Sequence, residues 1–156
     1  YIDDLEKEEI KFNDLIKNAC DMFYQLEQKL KLASYDKNLT LFVDPYKMSL
    51  AIKNLIDNAL KYGDPNQLIE LYINNNGDSL EIAVKDFGKG ISKEQINKII
   101  KPLYRGSAAK EKNKTGFGLG LAITNKIVEA HNGQLLIQSK INEGSTFIIR
   151  LPKKAK

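Results

Sequence analysis

The sequence predicts an α+β fold: a two-layer α/β sandwich in which one mixed β-sheet carries helices on one face. Strand-like runs come in adjacent pairs separated by helical stretches, in the order α-β-β-α-β-β-α-β-β. Leu68–Asn75 and Ser79–Asp86 alternate in period two on either side of Asn76-Gly77-Asp78, a hairpin signature. Between strand pairs, Met48, Ile52, Leu55 and Ala59 recur at helical spacing and form one apolar stripe.

The chain of 156 residues is long enough for one domain with a proper core, and 42% hydrophobic with 28% charged residues marks it as globular. No apolar run approaches the ~20 residues that a membrane span needs, and no signal-peptide pattern opens the chain. The single cysteine, Cys20, can form no internal disulfide and has no second ligand for a zinc site. These features favour a reducing, cytoplasmic setting. The net charge of +4 is spread over scattered lysines, with no basic stripe interleaved with aromatics, so no nucleic-acid partner is expected.

Residues 1–12 are acidic and helix-prone, with few apolar anchors beyond Ile2, Leu5 and Ile10, and suit the end of an upstream helix or a linker. Asn13 or Asp14 can cap the next helix, whose Leu15, Ile16, Ala19, Phe23 and Leu26 make a stripe. Strands are expected at 29–33 and 39–43, around the turn Tyr35-Asp-Lys-Asn38. Asp44 caps and Pro45 opens the helix that carries the Met48 stripe, and Gly63-Asp64-Pro65-Asn66 stops it. Ser92 with Glu94 and Gln95 starts a short helix to about Ile100. Residues 101–117 have no clear period and are long for a loop in a compact domain, as functional lids and disordered segments are. Gly118–Ala130 is a helix with Leu119, Ala122, Ile123, Ile127 and Ala130 on one face, ended by Asn132-Gly133. A closing hairpin, Gln134–Ser139 and Ser145–Leu151, turns at Asn142-Glu143-Gly144.

Four stretches have residue types that suit a nucleotide. Asn54, Asn58 and Lys61 fall within about 60° of one another on a helix, with Tyr62 beside them. Carboxamide oxygens are hard, neutral ligands for Mg²⁺, the ammonium suits phosphate, and the phenol ring can stack on a base. The same residues also suit a solvated helix face. Asp86, where a strand gives way to Gly88 and Gly90, can accept a hydrogen bond from an exocyclic amine, although Asp before glycines is also turn chemistry. Gly116-Phe-Gly118-Leu119-Gly120-Leu121 places three glycines where a helix begins, a position suited to phosphate. It is neither G-x-G-x-x-G nor a P-loop. Glycine inside a helix costs about 1 kcal/mol against alanine, so Gly120 needs a packing or ligand reason. Gly144-Ser145-Thr146 completes the set at a hairpin.

Together these stretches resemble the catalytic ATP-binding domain of sensor histidine kinases, within the superfamily of gyrase, Hsp90, histidine kinases and MutL (the Bergerat fold). Asn54–Tyr62 is similar to the family's asparagine box, and Asp86–Gly90, Gly116–Leu121 and Gly144–Thr146 to its three glycine boxes, across residues 13–151. The resemblance implies a catalytic domain over 13–156 with a lid at about 101–117. It implies that Asn58 and Asn54 bind Mg²⁺ and that Asn58 and Lys61 act in transfer. Tyr62 and Ile91 would pack the adenine, and Asp86 would bind its amino group. Gly88, Gly90, Gly116, Gly118, Leu119, Gly120 and Leu121 would line the nucleotide, with Tyr104 and Arg105 of the lid near it. Thr146 would reach the adenine through water.

In function, the resemblance implies transfer of the ATP γ-phosphoryl group to a histidine outside this chain, then to a response-regulator aspartate. The acceptor would sit on a helix of the same parent protein, a homodimer anchored in the inner membrane, whereas the isolated domain would be a monomer. The alternatives are a non-catalytic nucleotide-binding module or another ATPase of the superfamily, whose glutamate base would stand where this chain has Asn54. One departure concerns the lid: Ile100-Lys-Pro102-Leu-Tyr104-Arg105 keeps the proline and Tyr-Arg of the family's box but replaces both phenylalanines. The only histidine, His131, lies beside an Asn-Gly turn and reads as structural.

Overall fold

The computed structural model describes residues 4–23, 28–99 and 119–153, with backbone alone at Leu119. In chain order its elements are β1 (Glu8–Lys11), α1 (Phe12–Cys20), β2 (Leu30–Leu32), β3 (Thr40–Val43), α2 (Pro45–Tyr62), β4 (Ile69–Asn75), β5 (Ser79–Asp86), α3 (Lys93–Ile99), α4 (Leu119–Ala130), β6 (Gln134–Lys140) and β7 (Gly144–Pro152). Leu26, Ile100 and the predicted lid lie outside the described residues.

Helix α2 forms as its sequence dictates. The Asp44 carboxylate accepts from the Lys47 N–H at 3.1 Å, and Pro45 fills a first-turn position that needs no donor. The stripe Met48, Ile52, Leu55 and Ala59 is buried against the sheet and α1, joined by Ala51 and Ile56. Each large side chain on that stripe contributes about 1.5–3 kcal/mol by burial. Truncating Leu55 to alanine would cost about 2–5 kcal/mol.

The main sheet has five strands in the order β2-β4-β5-β7-β6. It is mixed because β2 runs parallel to β4, whereas every other pairing is antiparallel. Leu80, Ile82 and Val84 of β5 and Phe147, Ile149 and Leu151 of β7 point to the helical layer and meet the α2 stripe there. β3 does not join this sheet. It pairs antiparallel with β1 in a separate two-stranded ribbon.

The ribbon corrects the expectation that residues 8–11 end a helix. Glu8, Glu9 and Lys11 are exposed while Ile10 packs on the core, an alternation that suits a strand with one wet face. The edge of β3 supplies the ladder, and the Glu6 N–H is held by Asp44 Oδ2 at 2.9 Å, so tertiary partners override helix propensity. α1 accordingly begins at Phe12, without a side-chain cap. Asn13 and Asp14 lie inside it, and Asn13 Oδ1 accepts from the Tyr35 hydroxyl instead. Phe12 is fully buried, edge-on to Tyr35 at 5.0 Å between ring centroids.

α4 also turns a different face inward than its aliphatic residues suggest. Leu121, Thr124, Ile127 and Val128 are buried, while Ala122, Ile123 and Ala130 are only partly covered. Thr124 can face the core because its hydroxyl donates to the Gly120 carbonyl at 2.8 Å, one turn back. Asn132 ends the helix with φ 61°, as an Asn-Gly terminus favours.

His131, 4% exposed, joins α4 to the start of α2. Its Nδ1 lies 2.8 Å from the Ile127 carbonyl and its Nε2 accepts from the Asp44 N–H at 3.0 Å. A carbonyl only accepts, so Nδ1 carries the proton and the ring is neutral. Both nitrogens are occupied within the fold. Burial holds this imidazole below its ordinary range, and Lys7 and Lys47 act in the same direction, against the Ile127 bond and Asp44. The unfolded chain protonates the ring below about pH 6.5 and so binds more protons there than the folded state. The stability this group contributes is full above that pH and is lost as the pH falls below it. Urea midpoints measured at about pH 7.5 and pH 5.5 are expected to drop more in the native chain than in His131→Asn; equal drops refute the linkage.

Candidate functional site

The predicted residues converge at the C-terminal end of α2 and the neighbouring end of β5. Asn54, Asn58 and Tyr62 follow one another at single-turn spacing along α2, about 6 Å per step, so the row spans about 12 Å. Asp86, at the last position of β5, is buried beside Tyr62. Across the sheet Asp86 pairs with Ser145, and Ser145 with Ser139, so three polar side chains line up on the helical side of the strands.

These three hold one another. Asp86 Oδ1 accepts from the Gly88 N–H at 2.9 Å and from the Ser145 N–H at 3.3 Å. Ser139 donates to the Gly144 carbonyl at 2.9 Å, so its Oγ accepts from the Ser145 hydroxyl at 2.8 Å and from the Ile91 N–H at 2.7 Å. Among the described residues both hydrogen bonds of Asp86 fall on Oδ1, which leaves Oδ2 for a ligand. Desolvation raises the carboxyl above its usual range, against the lowering effect of the Gly88 and Ser145 bonds. A donor from a ligand would relieve that burial.

A cavity of about 150 Å³ opens here, lined by Tyr62, Asp86, Lys89, Gly90, Ile91, Gln95 and Ser145. Whole-ligand pockets run to about 300–1,000 Å³, so this one suits a single flat group with the rest of the molecule outside it. A larger cavity of about 720 Å³ lies at the opposite end of β5, between the β1–β3 ribbon and Leu80 and Leu151. It contains none of the predicted site residues, and the buried His131 on its wall has both nitrogens engaged.

Two predicted site residues lie away from the lining of the Asp86 cavity. Thr146 lies on the far face of β7, level with Lys85 and Gln138. The hydroxyl beside Asp86 belongs to Ser145. Strand parity carried that signal, since Phe147, Ile149 and Leu151 set the inward residues of β7 as the odd ones. Leu121 is 2% exposed and packs within the core. Ser139, which ties the Ile91 backbone in place, had no motif to mark it.

The remaining predicted residues have definite surroundings. The Asn54 amide donates to the Gly120 carbonyl at 3.1 Å and to Thr124 Oγ1 at 3.3 Å, linking α2 to α4. Asn58 Nδ2 is buried with no hydrogen-bond partner among the described residues. Lys61, largely exposed, pairs with Asp57 at 3.2 Å one turn back. Gly88 is required by close approach: a Cβ there would fall 2.2 Å from the Tyr62 carbonyl oxygen. Gly120 is not required by packing, since a Cβ would meet Asn54 at 3.5 Å, ordinary contact. Gly116, Gly118, Tyr104 and Arg105, and the side chain of Leu119, lie outside the described residues.

A sequence pattern described as histidine kinase-, DNA gyrase B-, and HSP90-like ATPase matches residues 43–155, from the end of β3 past β7. The chain belongs to this ATPase family. Membership makes it a nucleotide-binding domain, and the Asp86 cavity opens beside Tyr62 at the end of the α2 row. Sensor protein RprX of Bacteroides fragilis is 33% identical over 159 residues, covering 95% of this chain and 30% of that protein. Sensor protein SrrB of Staphylococcus aureus is 36% identical over 120 residues, covering 77% of this chain and 21% of that protein. The chain thus spans less than a third of the curated relatives it matches. The fold of this family member is also that of the nucleotide-free catalytic domain of histidine kinase ThkA, with TM-score 0.79 at 24% identity over 97% of this chain and all of that one. Among the described residues no helix is long and apolar enough to cross a membrane, and no cluster of His, Cys, Asp and Glu could hold a metal ion.

Proposed function

We propose that this domain binds Mg²⁺-ATP and transfers the γ-phosphoryl group to a histidine on another segment of a longer sensor protein. The observation that carries this reading is the buried Asp86 carboxylate, with Oδ1 doubly bonded to the backbone and Oδ2 left at a cavity sized for one ring. Asp86 accepts from the adenine amine, and Tyr62 and Ile91 pack the ring. The polyphosphate then runs back along α2 toward Asn58, Asn54 and the start of α4, a distance the 12 Å row accommodates.

The donor set fits a hard divalent cation. Asn58 Nδ2 is buried without a hydrogen-bond partner among the described residues, and the oxygen of the same carboxamide, together with phosphate oxygens, would suit Mg²⁺. When bound, the ion would neutralise charge on the transferring phosphate. Lys61 exchanges its exposed Asp57 partner for phosphate, a small sacrifice because such pairs are worth about 0.3–0.5 kcal/mol. A Cβ on Gly120 would stand 3.5 Å from the Asn54 side chain and fill the space between it and the first turn of α4, where phosphate would approach backbone N–H groups. Gly120→Ala is therefore expected to fold with equal or greater stability and to bind ATP at least tenfold more weakly (about 1.4 kcal/mol). Unchanged affinity in titration calorimetry would place the phosphates elsewhere.

In the transfer, the bond from γ-phosphorus to the β,γ-bridging oxygen breaks and a bond from phosphorus to an imidazole nitrogen forms. The domain positions the donor and excludes water, and the acceptor comes from outside the chain. His131 cannot serve, because both its nitrogens are used in the fold. The parent would be a membrane-anchored homodimer whose phosphohistidine passes its phosphoryl group to a response-regulator aspartate, with this domain on the cytoplasmic side. Incubation with γ-labelled ATP and an acceptor-bearing helical hairpin is expected to yield acid-labile phosphohistidine. Bound nucleotide without labelled hairpin would leave a regulatory binding module and sink the kinase.

A further inference from the structure

Thr124 is completely buried yet polar, and it stands in α4 facing the asparagine row of α2. Its hydroxyl proton is committed to the Gly120 carbonyl at 2.8 Å, so its oxygen can only accept from the Asn54 amide at 3.3 Å. The Gly120 carbonyl, which can never donate, lies 3.1 Å from the same Asn54 nitrogen. Two acceptors therefore fix which end of the Asn54 carboxamide is NH₂, and the side chain cannot flip without losing both bonds. Asn54 Oδ1 has no hydrogen-bond partner among the described residues, and it sits 3.6 Å from where a Cβ on Gly120 would be.

We propose that Thr124 is a positioning residue that locks the Asn54 carboxamide with its oxygen beside Gly120 and the first turn of α4, where a metal-bound triphosphate is received. The proposal rests on the reading of α2 as the metal- and phosphate-facing row. A helical threonine bonded to the preceding turn could also serve the helix alone. The two roles separate by experiment. Thr124→Val keeps shape and volume but removes the acceptor, whereas Thr124→Ser keeps the acceptor and loses a methyl group.

ATP is titrated into the native chain and both variants, in excess Mg²⁺ and in EDTA. Thr124→Val is expected to weaken binding about fivefold in Mg²⁺, the value of one hydrogen bond, and to leave binding in EDTA within about twofold. Thr124→Ser should restore the Mg²⁺ value although it underpacks the core, so affinity and thermal stability move in opposite orders. In nitrogen-15 spectra of the nucleotide-free chain, the Asn54 side-chain NH₂ pair should shift in Thr124→Val and stay near its native position in Thr124→Ser. An unmoved NH₂ pair, or equal losses with and without Mg²⁺, would overturn the positioning role. Native affinity indifferent to Mg²⁺ would instead overturn the reading of α2, while the NH₂ resonances still report whether Thr124 holds Asn54.

Discussion

Asp86→Asn is expected to lower ATP affinity about a hundredfold and to erase the preference for ATP over GTP, measured by calorimetric titration of both nucleotides. The two backbone N–H groups of Gly88 and Ser145 both point at Oδ1, so the carboxamide oxygen of the variant takes that place. Its NH₂ then occupies the position of Oδ2 and meets the adenine amine donor to donor. The carbonyl of guanine, by contrast, would find a donor waiting. Loss of a charged acceptor accounts for about 1.5–3 kcal/mol, and the unpaired buried amine adds to it. An unchanged ratio of the two affinities would show that Asp86 does not read the base. Acid has a related effect. Burial raises the Asp86 carboxyl, so it takes up a proton at a higher pH than an exposed one would. A ligand amine favours the ionised form, and ATP affinity should therefore decline as the pH falls through that raised value.

Gly144→Ala should be the most disruptive single methyl group in the third box. Gly144 opens β7 at φ +101°, and a Cβ there would stand 2.2 Å from the Asp86 carbonyl oxygen, backbone that cannot swing aside. The dihedral and the clash together are expected to remove about 3 kcal/mol, which lowers Tm by roughly 10 °C for a chain of this size. Gly77→Ala is the control: its φ of +76° imposes the dihedral strain, but nothing lies within 4 Å of the added carbon. It should lose about 1 kcal/mol. Equal melting temperatures for the two variants would mean that the approach of β7 to Asp86 is not tight. Because the ends of β5 and β7 carry Asp86 and Ser145, Gly144→Ala should also weaken nucleotide binding in whatever fraction stays folded.

What could be read in the sequence depended on whether the determining partner was local. The α2 helix was legible because its cap, proline and apolar stripe lie within one segment, as was the β4–β5 hairpin with its Asn-Gly turn. The β1–β3 ribbon was not, since Glu8–Lys11 becomes a strand only when residues some thirty positions away offer an edge. The inward face of α4 was obscured for a different reason: Thr124 counts as polar until the Gly120 carbonyl is seen to absorb its hydroxyl proton. Similarly, the choice between Ser145 and Thr146 needed strand register, which a motif of adjacent residues does not contain. The lid residues Tyr104 and Arg105 stand on sequence alone.

The two walls of the Asp86 cavity differ in how they are fastened. Asp86, Ser145 and Ser139 belong to three adjacent strands of one continuous ladder. On the other side stands α3, which contributes Gln95 and holds its own start through Ser92, yet buries no residue fully. Segments with few buried apolar contacts open at low free energy, whereas central strands exchange their amide protons only on global unfolding. Deuterium should therefore enter α3 long before β5, and a nucleotide that bridges the two would slow exchange chiefly in the helix. Under the proposed reading, base selection would thus be made on a pre-organised wall, and the entropy lost on binding would come from the one that breathes.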